Sequence, residues 1–103
     1  MAAGEGIKVR VVLFENADGW VAQCLEHDIA AFAPTLAGVT RKFERTIAAN
    51  VLINAELGRA GLEGIPPAPA RFTALYEESG LDLSARATAA TAVQADLRIA
   101  EAA

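Results

Sequence analysis

The chain has 103 residues, 53% hydrophobic and 21% charged, a balance that suits one compact domain and excludes a disordered or fibrous chain. Its formal net charge of −4 supplies no positive field to gather phosphates, so direct nucleic-acid binding is disfavoured and a basic protein partner is favoured. The single cysteine, Cys24, excludes an intrachain disulfide and fits a reducing, cytoplasmic compartment; Met1 to Gly6 lacks the pattern of a secretory or transit signal, and no apolar run approaches the roughly 20 residues of a membrane span.

Ile7 to Phe14 reads IKVRVVLF, rich in β-branched residues, and its first half alternates Ile7, Val9 and Val11 with Lys8 and Arg10, which is strand periodicity. The following Asn16-Ala17-Asp18-Gly19 carries an Asp-Gly pair that tolerates positive φ, so the chain is expected to reverse into a second strand, Trp20 to Leu25. After the polar Glu26-His27-Asp28, the short apolar run Ile29 to Ala33 predicts a third strand, which Pro34 ends. Thr35 is placed to cap a long helix starting at Leu36, in which Leu36, Val39, Phe43, Ile47 and Val51 form one apolar stripe. Arg41, Lys42, Glu44 and Arg45 occupy the opposite face, and Gly58 or Gly61 is a natural stop.

Gly64 to Pro69 can neither continue a helix nor pair in a central strand, and it reads as a stiff connector. Phe72, Leu75 and Tyr76 recur at helical spacing and predict a short second helix. The tail from Ser84 to Ala103 is rich in Ala and Thr; Ala89, Val93, Leu97 and Ala100 form a weak stripe, read as a marginal helix or a frayed end. The expected organisation is therefore an α+β domain over residues 1–62, a Pro-rich connector with a short helix over 63–83, and an Ala-rich tail over 84–103. The expected fold is a three-stranded antiparallel sheet in β-β-β-α order, with one long helix on one face and a short C-terminal helix.

Cys24, Glu26, His27 and Asp28 include the only Cys and the only His, residue types that can bind metal or move protons. Structural zinc takes four ligands in paired clusters, and no second pair follows, so no metal or other cofactor is expected. A Cys24–His27 nucleophilic pair competes with burial of Cys24 in the core, and His27 and Asp28 compete as backbone caps in a strand connection; the structural account is favoured for all three. Trp20 in the hairpin is expected to pack on the core, and the trio Arg41, Lys42 and Arg45, interrupted by Glu44, to mark a solvated helix face. There is no Gly-rich phosphate loop and no Ser nucleophile elbow.

The run Asp18-Gly19-Trp20-Val21-Ala22-Gln23-Cys24-Leu25-Glu26-His27-Asp28-Ile29-Ala30-Ala31, followed by Thr35-Leu36 at a helix start, resembles the HicB-like antitoxin family over roughly Ile7 to Leu57. Three marks occur in order: an aromatic-Val-Ala second strand after a D-G turn, a short acidic segment before the third strand, and a Thr-Leu helix start. The Pro66-Pro67-Ala68-Pro69 element followed by Phe72 resembles a C-terminal extension seen in a bacterial subgroup. The resemblance implies a partial ribonuclease-H-like arrangement that generally lacks catalysis, assembly into dimers or tetramers, and binding of a small basic RNA-cleaving toxin of the HicA-like kind. The family's usual acidic pair after Thr-Leu is here Ala37-Gly38, and the tail carries no basic recognition helix, so direct operator binding is not implied.

The expectation that follows is a non-enzymatic, cytoplasmic interaction module that masks a basic partner sterically, or an orphan of that fold, with Glu15, Glu26 and Asp28 as contact residues. The alternatives are a small hydrolase or metal-dependent nuclease using His27 and Asp28, and a purely structural homo-oligomer.

Overall fold

A computed structural model describes residues 7–79, 81–88 and 93–100 of the chain. Strand β1 (Ile7–Asn16) runs antiparallel to β2 (Gly19–Cys24), and β2 runs antiparallel to β3 (Ala30–Ala33). Helix α1 (Leu36–Glu56) and the short α2 (Ala70–Glu77) follow, then β4 (Leu81–Thr88) and β5 (Val93–Ile99). The three antiparallel strands and the two helices agree with the sequence reading.

The sheet, however, has five strands in the order β3-β2-β1-β5-β4 and is mixed, because β5 lies parallel to β1. Two expectations are thereby corrected: the sheet does not stop at three strands, and the short helix is not the C-terminal element. The stretch Val93 to Ile99 alternates apolar and polar residues, and its register sets Ala95, Leu97 and Ile99 opposite Val9, Val11 and Leu13. Leu97 is buried in the main core. A spacing of four, as between Val93 and Leu97, belongs to strand and helix periods alike, and the marginal helix or frayed end expected over Val93 to Ile99 is instead a strand. Ala89, also in the expected stripe, lies outside the described residues.

The hairpin connection is also one residue off the expectation. Asn16 pairs with Gly19, so Ala17 and Asp18 form the loop and Gly19 opens β2. The Asn16 side-chain oxygen accepts from the backbone N–H groups of Asp18 (3.0 Å) and Gly19 (2.9 Å), an Asx turn that caps the reversal. Gly19 has φ +155°, and a Cβ there would meet the Ala33 carbonyl oxygen at 2.6 Å and the Pro34 Cα at 2.9 Å. Glycine is required where β2 passes the end of β3.

Thr35 caps α1 as expected, its hydroxyl oxygen accepting from the Gly38 N–H at 3.0 Å. Val39, Phe43 and Ile47 are buried against one face of the sheet, where they meet Val9, Val11, Leu13, Ala22, Cys24, Ala31 and Ala33. Each large side chain so covered contributes about 1.5–3 kcal/mol. Trp20 packs against this core half-buried, in agreement with the packing role. Gly58, at φ 78°, ends the helix after Leu57, and buried Asn54 organises the turn by donating to the Gly61 (2.9 Å) and Glu63 (3.0 Å) carbonyls.

The other sheet face carries a smaller core of Val12, Leu25, Tyr76 and Ala100, against which α2 packs. Phe14 of β1 and Phe72 of α2 stack with ring centroids 6.0 Å apart. Among the described residues, no helix is long and apolar enough to cross a membrane.

Candidate functional site

The segment that leaves β2, Leu25 to Ile29, is held by the proline connector. Proline supplies a carbonyl but no N–H donor, so within the connector only a non-proline residue such as Ala68 can donate, and Pro66 can only accept. The Asp28 N–H donates to the Pro66 carbonyl at 2.6 Å, the Ala68 N–H to the Leu25 carbonyl at 3.0 Å, and His27 Nδ1 lies 2.9 Å from the Ile65 carbonyl oxygen. Facing a carbonyl, that ring nitrogen must carry a proton and donate it. The Pro66–Pro69 element thus straps the acidic segment to the body of the domain.

Glu26 is engaged by β1. Its carboxylate accepts from the Arg10 backbone N–H at 2.8 Å and from the Arg10 Nε at 2.6 Å. The side-chain bond raises the Arg10 pKa further above its ordinary value, with smaller contributions from the charges of Glu26, Tyr76 and Glu77. Asp28 is exposed, with one oxygen accepting from the Gln23 side-chain amide at 3.1 Å; Gln23 itself is buried and also donates to the Cys24 carbonyl at 3.0 Å. Glu15 is exposed near the hairpin end, across from Trp20 and five residues along β1 from Arg10, roughly 17 Å away. The structure therefore brings Glu26 and Asp28 together on one segment and places Glu15 elsewhere.

Cys24 is fully buried at the end of β2 on the α1 side. Burial pushes its thiol up to about 11, against smaller lowering by the backbone amides of His27, Glu26 and Leu25. Thiolate is scarce at neutral pH under those conditions, which works against a Cys24 nucleophile. Among the described residues, no three of the His, Cys, Asp and Glu side chains converge as metal ligands.

A second polar group, missed by the sequence reading, adjoins Glu26. Two guanidinium groups lie over the Tyr76 ring, that of Arg98 at 4.4 Å from its centroid and that of Arg10 at 5.7 Å, and its hydroxyl donates to Asp96 at 3.1 Å. Burial, then the Asp96 hydrogen bond, raises the Tyr76 pKa. The Arg98 Nε is buried without an acceptor among the described residues. Only the pairing of β5 with β1 brings Asp96 and Arg98 beside Arg10 and Val12, so no local spacing signals this group.

Arg41, Lys42 and Arg45 are exposed on α1, which covers the opposite sheet face, and Arg41 and Arg45 border a shallow depression with Glu44 and Ala48. They form no common surface with Glu26 and Asp28. No family model, curated protein or solved structure matches the chain at a significant level.

Proposed function

We propose that the chain is a HicB-like, non-enzymatic interaction module that covers a basic protein partner, of the small RNA-cleaving toxin kind, with the acidic segment Glu26 to Asp28. The observation that carries this reading is that His27 and Glu26 are engaged in holding the segment's shape while Asp28 beside them stays exposed. His27 donates to the connector, Glu26 accepts from Arg10, Cys24 lies in the core, and Asp28 presents an exposed carboxylate. A segment so fixed is preorganised for docking, because little side-chain freedom remains to be lost on binding. Complementary charge raises the association rate without any catalytic group. The β-β-β-α order with α1 across one face supports the resemblance in architecture. Glu15 lies at the far end of β1 and would contribute only to a partner broad enough to reach the hairpin.

The test is an RNA-cleavage assay on a short Lys-rich, RNA-cleaving protein of the HicA-like kind, taken from beside this chain's gene where one is encoded there. Equimolar addition of this chain is expected to suppress cleavage. Cleavage that continues undiminished in the presence of excess chain would contradict the proposal.

A further inference from the structure

Strand β3 ends the sheet, and among the described residues nothing pairs with its outer side. The inner pairing fixes which backbone groups point outward. The Cys24 N–H donates to the Ile29 carbonyl at 2.9 Å, one step beyond the Gln23–Ala30 register, so Cys24 and Ile29 are a bonded pair. Opposite residues of an antiparallel ladder alternate between bonded and unbonded pairs. Ala22–Ala31 and Trp20–Ala33 are therefore bonded, and the N–H and C=O groups of Ala30 and Phe32 face the open edge.

Sheet edges are ordinarily guarded by charge, by proline or by cover. Ala30 to Ala33 carries no charge, Pro34 lies just beyond it, and Phe32 is 40% exposed. Ala31 and Ala33 are buried in the core beneath α1, so the Phe32 ring stands on the other face, the α2 side. Its row runs through Val21 to Phe14, whose ring stacks on Phe72. In the next row on that face, exposed Ala30 lies opposite Gln23, whose side-chain amide donates to the Asp28 carboxylate at 3.1 Å.

We propose that β3 takes an extended segment of the basic partner as an added antiparallel strand, with an apolar residue opposite Phe32 and a Lys or Arg two positions on, opposite Ala30. The proposal rests on the masking role for the basic character of the partner, and it names how that partner docks. An added strand supplies bonds to the four outward backbone groups, and antiparallel pairing is the more stable per residue. Residues two positions apart project on one face, here the α2 side. The apolar one covers the Phe32 ring as its cross-strand neighbour, and the cation crosses the small Ala30 side chain to reach Asp28. The exposed carboxylate thus sets the sign of the occupant's charge, and the open ladder sets its conformation.

The test is a nuclear magnetic resonance titration of the full-length protein with the capped peptide Thr-Lys-Thr-Val-Thr-Lys-Thr, whose Lys and Val side chains share one face of a strand in either direction. At millimolar peptide the amides of Ala30 and Phe32 are expected to shift and to gain protection from hydrogen exchange, while those of Arg41 to Leu52 stay in place. The Val N–H faces β3 when Val lies opposite Phe32, so N-methylation of Val is expected to abolish binding and N-methylation of a neighbouring Thr to spare it. Replacing both Lys by Glu is expected to weaken binding about fivefold. Phe32→Lys, which guards the edge, is expected to remove binding while circular dichroism shows the fold intact. Absence of shifts at Ala30 and Phe32, equal binding of the two methylated peptides, or equal binding of the Glu peptide would each overturn the proposal. So would shifts of Ala30 and Phe32 that depend on protein concentration without peptide, which would place a second copy on the edge. A chain that binds a HicA-like protein but not the peptide overturns the added strand and leaves the masking role standing. A chain that takes the peptide along β3 but binds no such protein supports the added strand and contradicts masking.

Discussion

His27 Nδ1 donates to the Ile65 carbonyl oxygen at 2.9 Å, across 38 residues of sequence. The contact joins the polar turn after β2 to the proline connector, and it gives the single histidine a structural role before any chemical one. His27→Ala removes a partly buried hydrogen bond and leaves the Ile65 carbonyl without that donor. The expected loss is about 1 kcal/mol, or roughly 5 °C in Tm for a domain of this size, read by thermal unfolding. An unchanged Tm would show that the strap is held by its backbone bonds alone.

Gly19→Ala should be among the most damaging single-methyl changes in the first half of the chain. The added Cβ would meet the Ala33 carbonyl and Pro34 Cα, both backbone atoms that cannot step aside without moving β3, at a φ that L residues rarely adopt. The expected cost is about 1–3 kcal/mol, measured by denaturant unfolding. Gly58→Ala, with nothing within 4 Å of the new Cβ, should cost less although its φ is also positive.

The Cys24 thiol should resist alkylation in the folded protein and react once the chain unfolds. Its folded pKa of about 11 lies above the ordinary value of 9.0, so between those values the native state holds a proton that the unfolded state has lost. The stabilisation is complete below pH 9 and is lost as pH rises from about 9 to about 11. The raised Tyr76 acts with the same sign. Denaturant titrations across that range should show stability falling by on the order of 2 kcal/mol for the thiol, and Cys24→Ala should flatten part of the fall.

Leu97 tests the position of β5 between β1 and β4. It is 3% exposed in the main core, opposite Val11. Leu97→Ala should cost about 2–4 kcal/mol by thermal or denaturant unfolding. A frayed tail would lose almost nothing from the same change.

The sequence was most legible where one period excluded the other. Ile7, Val9 and Val11 alternate as only a strand does, and Leu36, Val39 and Phe43 recur at steps of three and four, as only a helix does; both elements formed where expected. Val93 and Leu97 stand four apart, a spacing both periods contain, and the intervening Ala95, with Ile99 beyond, was the signal for a strand. At the candidate site, the grouping of Glu26 with Asp28 was visible because they lie two residues apart in the chain. The Arg10–Glu26 pair and the His27–Ile65 contact were not, because they follow from strand register and from the path of the connector, which no local pattern encodes.

The central claim is that the exposed Asp28 carboxylate on a fixed acidic segment binds a basic partner. Calorimetric titration of a short Lys-rich, RNA-cleaving protein of the HicA-like kind into wild-type protein and into Asp28→Lys, at low and high salt, tests it most directly. Wild-type binding should weaken as salt rises, and the charge reversal should weaken it at least about tenfold, in the range of a charged contact at an interface. Binding unchanged by Asp28→Lys and insensitive to salt, or a turnover intrinsic to this chain that His27→Ala with Asp28→Ala abolishes while the fold is kept, would contradict it.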